Sequence, residues 1–141
     1  MDMRLVLLPL FVQVALTFLL LIWLAVLRND DLRSGRVNPA SVALREPNWP
    51  PRTQQFANAF SNQFEIPVLF YVLTILQVVT RRADPVFVAL AWIFVATRIV
   101  HAYIHVTSNV VLRRGAWYGA GALVLMLMWF IFSVRLLFAL P

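Results

Sequence analysis

Four long apolar runs dominate this chain, and a polypeptide that carries them has few folds open to it. In residues 5–27 the only polar side chains are Gln13 and Thr17. At about 1.5 Å of rise per residue, a helix of that length crosses a hydrocarbon core of roughly 30 Å. Further runs cover 64–79, 86–106 and 117–140, the second reaching spanning length only with the polar turn before it. Composition agrees: 62% of residues are hydrophobic, 13% are charged and the mean hydropathy is +0.80. Soluble domains carry about 25% charged residues. The first run is too long for a secretory h-region and no small-residue cleavage site follows it, so it counts as a helix. No internal repeat is visible, which argues against a small transporter. The reading is an all-α membrane protein, a single domain over 1–141 built as an antiparallel bundle of four transmembrane helices. They fall at 4–27, 55–80, 85–109 and 115–139, joined by a polar connection at 28–54 and two short turns.

Lysine is absent and all twelve basic residues are Arg. The long connection and the third turn hold Arg28, Arg33, Arg36, Arg45, Arg52, Arg113 and Arg114; the opposite side holds Arg4, Arg81, Arg82 and Arg135. The excess places the long connection in the cytoplasm and both termini outside, in the inner membrane for a bacterial cell. A net charge of +6 and a pI near 11.3 would suit a nucleic-acid binder. These arginines sit at helix ends rather than in one basic stripe, so the expected partner is membrane lipid and not nucleic acid. Trp49 and Trp117 read as interfacial anchors. Cysteine is absent, which excludes a disulfide, a thiolate metal site and a cysteine nucleophile. Any thiol chemistry needs a thiol brought by a substrate.

Helix ends carry signals of their own. Asp84 followed by Pro85 reads as an N-cap and first helical position of the third span. Pro67 falls inside the second span, where it frees the carbonyl of Gln63 and kinks the helix. Beside it are the unusual residues. Asn58, Asn62 and Glu65 share one helical face at i, i+4 and i+7; Arg98, His101, His105 and Asn109 share another. Counted from the turn between these antiparallel spans, Glu65, Arg98 and His101 lie at one depth, roughly 20–24 Å from the outer end. An ionisable group inside a span costs about 2.5–3.5 kcal/mol or more at the bilayer centre, so such a cluster marks a functional site by default. The plainer alternative pairs Glu65 with Arg98 and leaves the Asn and His side chains as interhelical glue. His101 and His105 have helical metal-ligand spacing, but one nearby acid does not complete a zinc or iron site, so no metal is expected. Gly115, Gly119 and Gly121, with Ala116 and Ala120, read as a close-packing face.

Taken together, Asn58, Asn62, Glu65 and Pro67, then Arg98 and His101, then Arg114 and Tyr118, resemble the MAPEG family, the membrane-associated proteins in eicosanoid and glutathione metabolism. The likeness covers the four-span plan of the whole chain and, in motifs, residues 50–118. It implies a homotrimer with sites between subunits and glutathione entering from the cytoplasm as cosubstrate. Asn62 and Glu65 would hold its amino-acid ends, Arg98 and His101 would help bind it, Tyr118 would close over it, and Arg114 would activate the thiolate. The implied function is a glutathione transferase or peroxidase-like activity on small lipophilic electrophiles or lipid hydroperoxides. The alternative is a non-catalytic lipid-binding or scaffolding protein of the same fold. Two positions depart from the family pattern and place the chain in a divergent, bacterial branch. Asn58 stands where most glutathione-using members have arginine, and His105 where many have tyrosine; both belong to the expected cosubstrate site.

The arginine distribution makes a direct prediction. Reporters fused near Asn38 and at the C-terminus should read cytoplasmic and external, respectively; a cytoplasmic C-terminus would reverse the topology.

Overall fold

The computed structural model describes residues 2–138, so the expected end of the fourth span at 139 lies outside the described residues. Among these residues the regular structure is entirely helical: α1 (Met3–Arg33), α2 (Pro51–Ser61), α3 (Ile66–Val79), α4 (Pro85–Val106) and α5 (Val111–Leu137). Short 3-10 turns at Pro39–Val42 and Asn62–Phe64 complete it. Four segments are long and apolar enough to cross a membrane, with α2, its 3-10 turn and α3 together making the second. Most of the apolar side chains on α1 face outward, among them Leu5, Leu8, Phe11, Phe18 and Ile22. In a soluble protein that surface would aggregate; against lipid tails it carries no penalty.

Helix ends follow from local chemistry and from contacts the sequence does not display. α1 continues past residue 27 to Arg33, through a polar stretch. The reason is Asp31, which is buried and accepts hydrogen bonds from Thr53 Oγ1 at the start of α2 and from Arg36 Nε at 3.0 Å. Gly35 then turns the chain at φ +72, a conformation glycine adopts without steric cost. At the opposite end of the bundle, Asp84 caps α4 by accepting from Phe87 N at 2.7 Å and pairs with Arg135 near the end of α5. Burial alone would raise the Asp84 pKa, but the Phe87 amide and Arg135 outweigh it and hold the carboxyl below the ordinary carboxylate range.

The second span is not one kinked helix. α2 stops at Ser61, a 3-10 turn follows, and Glu65 takes φ −93 and ψ −116 before α3 begins. In a continuous helix the Pro67 ring would clash with the carbonyl of Gln63. Restarting at Ile66 places Pro67 in a first turn, where its missing N–H costs nothing. Asn58, Asn62 and Glu65 therefore straddle a break rather than share one regular face. Asn109 also leaves its expected place. α4 ends at Val106, and Asn109 sits in the following turn at φ +49.

α4 lies at the centre, against α1, α2 and α5, while α3 packs on α1 and α5. One apolar core joins Val6, Phe70, Leu73, Phe94, Leu125 and Met128; the Phe70 and Phe94 rings lie 4.8 Å apart. A second core, nearer the long connection, joins Leu20, Leu24, Phe56, Ala57, Ala59 and Ala102. Gln13, Gln63, Thr97, Arg98, His101 and His105 add buried polar groups to this interior. The expected glycine face is realised at one position only. A Cβ on Gly121 would meet Thr97 Oγ1 at 2.7 Å, whereas Gly115 and Gly119 have nothing within 4 Å.

Gly121→Ala should accordingly destabilise the bundle by about 1–3 kcal/mol, because Thr97 is β-branched and cannot swing away cheaply. Gly119→Ala should leave stability unchanged or slightly raised. Thermal unfolding of both variants in one detergent is the check; equal behaviour would mean that α4 and α5 separate freely at Gly121.

Candidate functional site

The break at 62–65 faces an open cleft of about 450 Å3 between α2, α4 and α5. Asn58, Asn62, Glu65, His101, His105, Arg114 and Tyr118 line it. These are seven of the eight site residues singled out from the sequence. Arg98, the eighth, is 0% exposed and lies behind the cleft. Its Nη2 donates to Asn62 Oδ1, and its guanidinium carbon sits 5.3 Å from the Tyr118 ring centre. Ser61, Val111 and Gly115 also line the cleft; none was expected there, and Gly115 was assigned to the close-packing face instead. Ser61 follows Asn58 by three residues, so helical spacing could have found it; the other two depend on how α5 packs.

Glu65 and Arg98 share the site without a direct ion pair. Among the described residues the ion pairs are Arg36 with Asp30 and Asp31, and Arg135 with Asp84. Asn62 stands between the two site charges instead, with Nδ2 donating to Glu65 Oε2 at 2.7 Å while Oδ1 accepts from Arg98. An amide can do this because it carries a donor and an acceptor on one rigid head. Glu65 itself remains exposed to the cleft, with Tyr118 facing it from α5.

The other wall is built from the turn between α4 and α5. His101 Nδ1 lies 2.9 Å from the Arg114 carbonyl oxygen, a contact made by the tautomer that donates from Nδ1. Arg114 Nη1 donates to Asn109 Oδ1 at 2.6 Å. So Asn109, displaced from α4, fixes the arginine instead of extending the histidine face. His101 packs with centroid distances of 5.6 Å to both His105 and Tyr118. Asn58, at the other rim, accepts from Gln54 Nε2 at 2.8 Å.

Several buried polar atoms here have no protein partner: Arg98 Nε and Nη1, His101 Nε2 and His105 Nδ1. Buried polar groups are nearly always hydrogen-bonded, so orphans gathered at a cleft call for a polar ligand or water. The electrostatics narrow the ligand class. One carboxylate, Glu65, faces one guanidinium in the cleft wall, Arg114, while a second, Arg98, is enclosed behind Asn62 and adds only its field. The N-terminus of α5, where no side chain caps the first amides, adds partial positive charge beside Val111. The site therefore suits a ligand that presents an ammonium to Glu65 and more than one anionic group elsewhere. A second cleft of about 450 Å3 adjoins it along Asn58 and Ser61, with Arg28, Arg45 and Trp49 on its far wall.

Among the described residues no group of three or more His, Asp or Glu side chains is placed to hold a metal ion. Elemental analysis of detergent-purified protein should find no stoichiometric zinc or iron. One metal per chain, lost on His105→Ala, would contradict this.

The sequence pattern of the MAPEG family matches residues 6–134, nearly the whole chain. No curated protein and no solved structure matches it.

Proposed function

The chain belongs to the MAPEG family, and from that premise we propose that it binds glutathione in the α2–α4–α5 cleft and activates its thiol against lipophilic substrates. Membership makes it a multi-pass membrane protein of the glutathione and eicosanoid metabolism type. The observation that carries the finer reading is the charge pattern of the cleft. Glutathione has one ammonium, two carboxylates and a thiol, and the cleft offers one carboxylate, Glu65, against one guanidinium, Arg114, and the start of α5, with Arg98 enclosed behind its wall. Glu65 takes the ammonium, with Asn62 holding the carboxylate in place. Asn58, His101 and His105 meet the peptide and its carboxylates, and Tyr118 closes over it. Arg98, enclosed behind Asn62, supports binding through that amide and through the field it adds. The assembly is a homotrimer with its sites between subunits and the cleft open to the cytoplasm.

Arg114 is the thiolate-stabilising group. A free thiol titrates near 8.5, so only a few per cent is nucleophilic at neutral pH. A guanidinium stays charged throughout that range and favours the anion. With an aromatic halide the thiolate sulfur forms a C–S bond and halide leaves. With a lipid hydroperoxide it takes the terminal oxygen, giving an alcohol and an oxidised sulfur that a second glutathione converts to disulfide and water.

Purified protein should show thiolate absorbance with glutathione at neutral pH and should turn over one of these two substrate classes. Arg114→Ala should lower kcat/KM by about 10–100-fold, on the order of 1.4–2.7 kcal/mol, and shift its pH dependence up toward about 8.5. Glu65→Gln should weaken glutathione binding at unchanged melting temperature. Well-folded wild-type protein that neither binds glutathione nor acts on either class would instead make this a lipid-binding or scaffolding member, with Asn58 and His105 as the substitutions that removed the cosubstrate.

A further inference from the structure

We infer that the buried amide pair Gln13–Gln63 positions the candidate site: Gln13, on the first helix and outside the cleft, holds the 3-10 turn that presents Asn62 and Glu65. Gln63 lies between those two residues in sequence but points away from the cleft and is 1% exposed. Both ends of its amide are occupied. Oε1 accepts from Gln13 Nε2 at 2.8 Å, and Nε2 donates to the carbonyl of Ala59 at 3.0 Å. One bond ties the turn to the preceding part of its own chain, and the other ties it to α1. Asn62, just before Gln63, meets Arg98, and Asn62 and Glu65, two residues after Gln63, both line the cleft, so a rotation of this turn moves both.

Backbone structure alone does not hold the segment. It is neither α-helix nor extended, Glu65 adopts φ −93 and ψ −116, and the next residue but one is a proline with no N–H to give. A 3-10 turn of this length is weak by itself, so its orientation has to come from a tertiary contact. Gln13 supplies it from a helix whose one other polar side chain between residues 5 and 27 is Thr17. Thr17 Oγ1 donates to the Gln13 carbonyl at 3.2 Å and braces the same turn of α1.

The pair is not there to maximise stability. Gln13 is 0% exposed, and its Oε1 has no partner. Two apolar side chains of similar volume would pack in the same space without leaving an orphaned acceptor. Hydrogen bonds between membrane helices also contribute little on average, because the unfolded chain in lipid finds other partners. What an apolar pair cannot do is fix the rotation of the turn about its axis. A directional bond to a second helix can.

The test uses Gln13→Met and Gln63→Met, which keep side-chain volume and remove the amide, in protein reconstituted into lipid nanodiscs. Hydrogen exchange at residues 61–66 should rise about fivefold or more in each variant while the amides of α4 and α5 and the melting temperature stay as in wild type. The double variant should be no faster than Gln63→Met alone, since that variant already breaks the bond to Gln13 along with the one to Ala59. Unchanged exchange at 61–66, or faster exchange throughout with a lower melting temperature, overturns the inference. A second measurement follows glutathione affinity, and this one rests on the function proposed above: Kd should weaken about fivefold or more, with kcat at saturating glutathione little changed. Loosening of 61–66 with unaltered affinity also overturns it. If wild-type protein binds no glutathione, the functional reading fails, and the exchange measurement still decides whether Gln13 orders the turn.

Discussion

Inside a bilayer a backbone amide or carbonyl has no water to turn to, so every departure from helix must be answered by the protein itself. Among the described residues one such departure falls within the spans, between Ser61 and Ile66, and much of the surrounding architecture answers it. The helix that follows starts where a proline does no harm, a glutamine returns a hydrogen bond to Ala59, and α1 reaches across with Gln13. The same departure turns Asn62 and Glu65 toward α4 and α5. Membrane interiors tolerate irregular backbone where it lines a cavity, and here it lines the cleft.

Charge inside the membrane obeys a similar rule. Arg98 is fully enclosed, and its guanidinium meets no carboxylate directly; an asparagine amide relays between it and Glu65. A direct pair would satisfy both charges and leave little for a ligand to gain. With the amide between them, Glu65 stays exposed to the cleft while Arg98 stays hidden. That division separates a group able to meet a ligand from one that organises the group that does.

Much of this was legible in the sequence, because ionisable residues in apolar runs are costly and therefore conspicuous. Glu65, Arg98, His101 and His105 stood out for that reason, Asn58 and Asn62 by sharing a helical face with Glu65, and Arg114 and Tyr118 through the family resemblance; seven of these eight line a single cleft, and Arg98 stands behind it. The helical plan was legible from the apolar runs. What escaped reading depends on partners distant in the chain. Whether Pro67 kinks a helix or ends one turns on what receives the freed groups, and Gln13 lies fifty residues before Gln63. α1 outruns its apolar stretch because Thr53 and Arg36 accommodate a buried Asp31. Counting rise per residue placed Glu65 and Arg98 at one depth but could not show which side of Asn62 each would meet. Glycine spacing likewise marked a close-packing face, and only Gly121 touches a neighbour closely.

The buried Asp31 carries one more implication, for how this chain tolerates change in length. Its carboxylate accepts from Arg36, just after α1, and from Thr53, just inside α2, so the intervening segment forms a loop whose two ends are fastened to one residue. The closure cost of such a loop grows only logarithmically, about 0.6 kcal/mol for each doubling of its length. Residues between those fastenings can thus be gained or lost with little effect on the register of α1 against α2. The long connection is where the protein can acquire new surface while the membrane-embedded frame stays as it is.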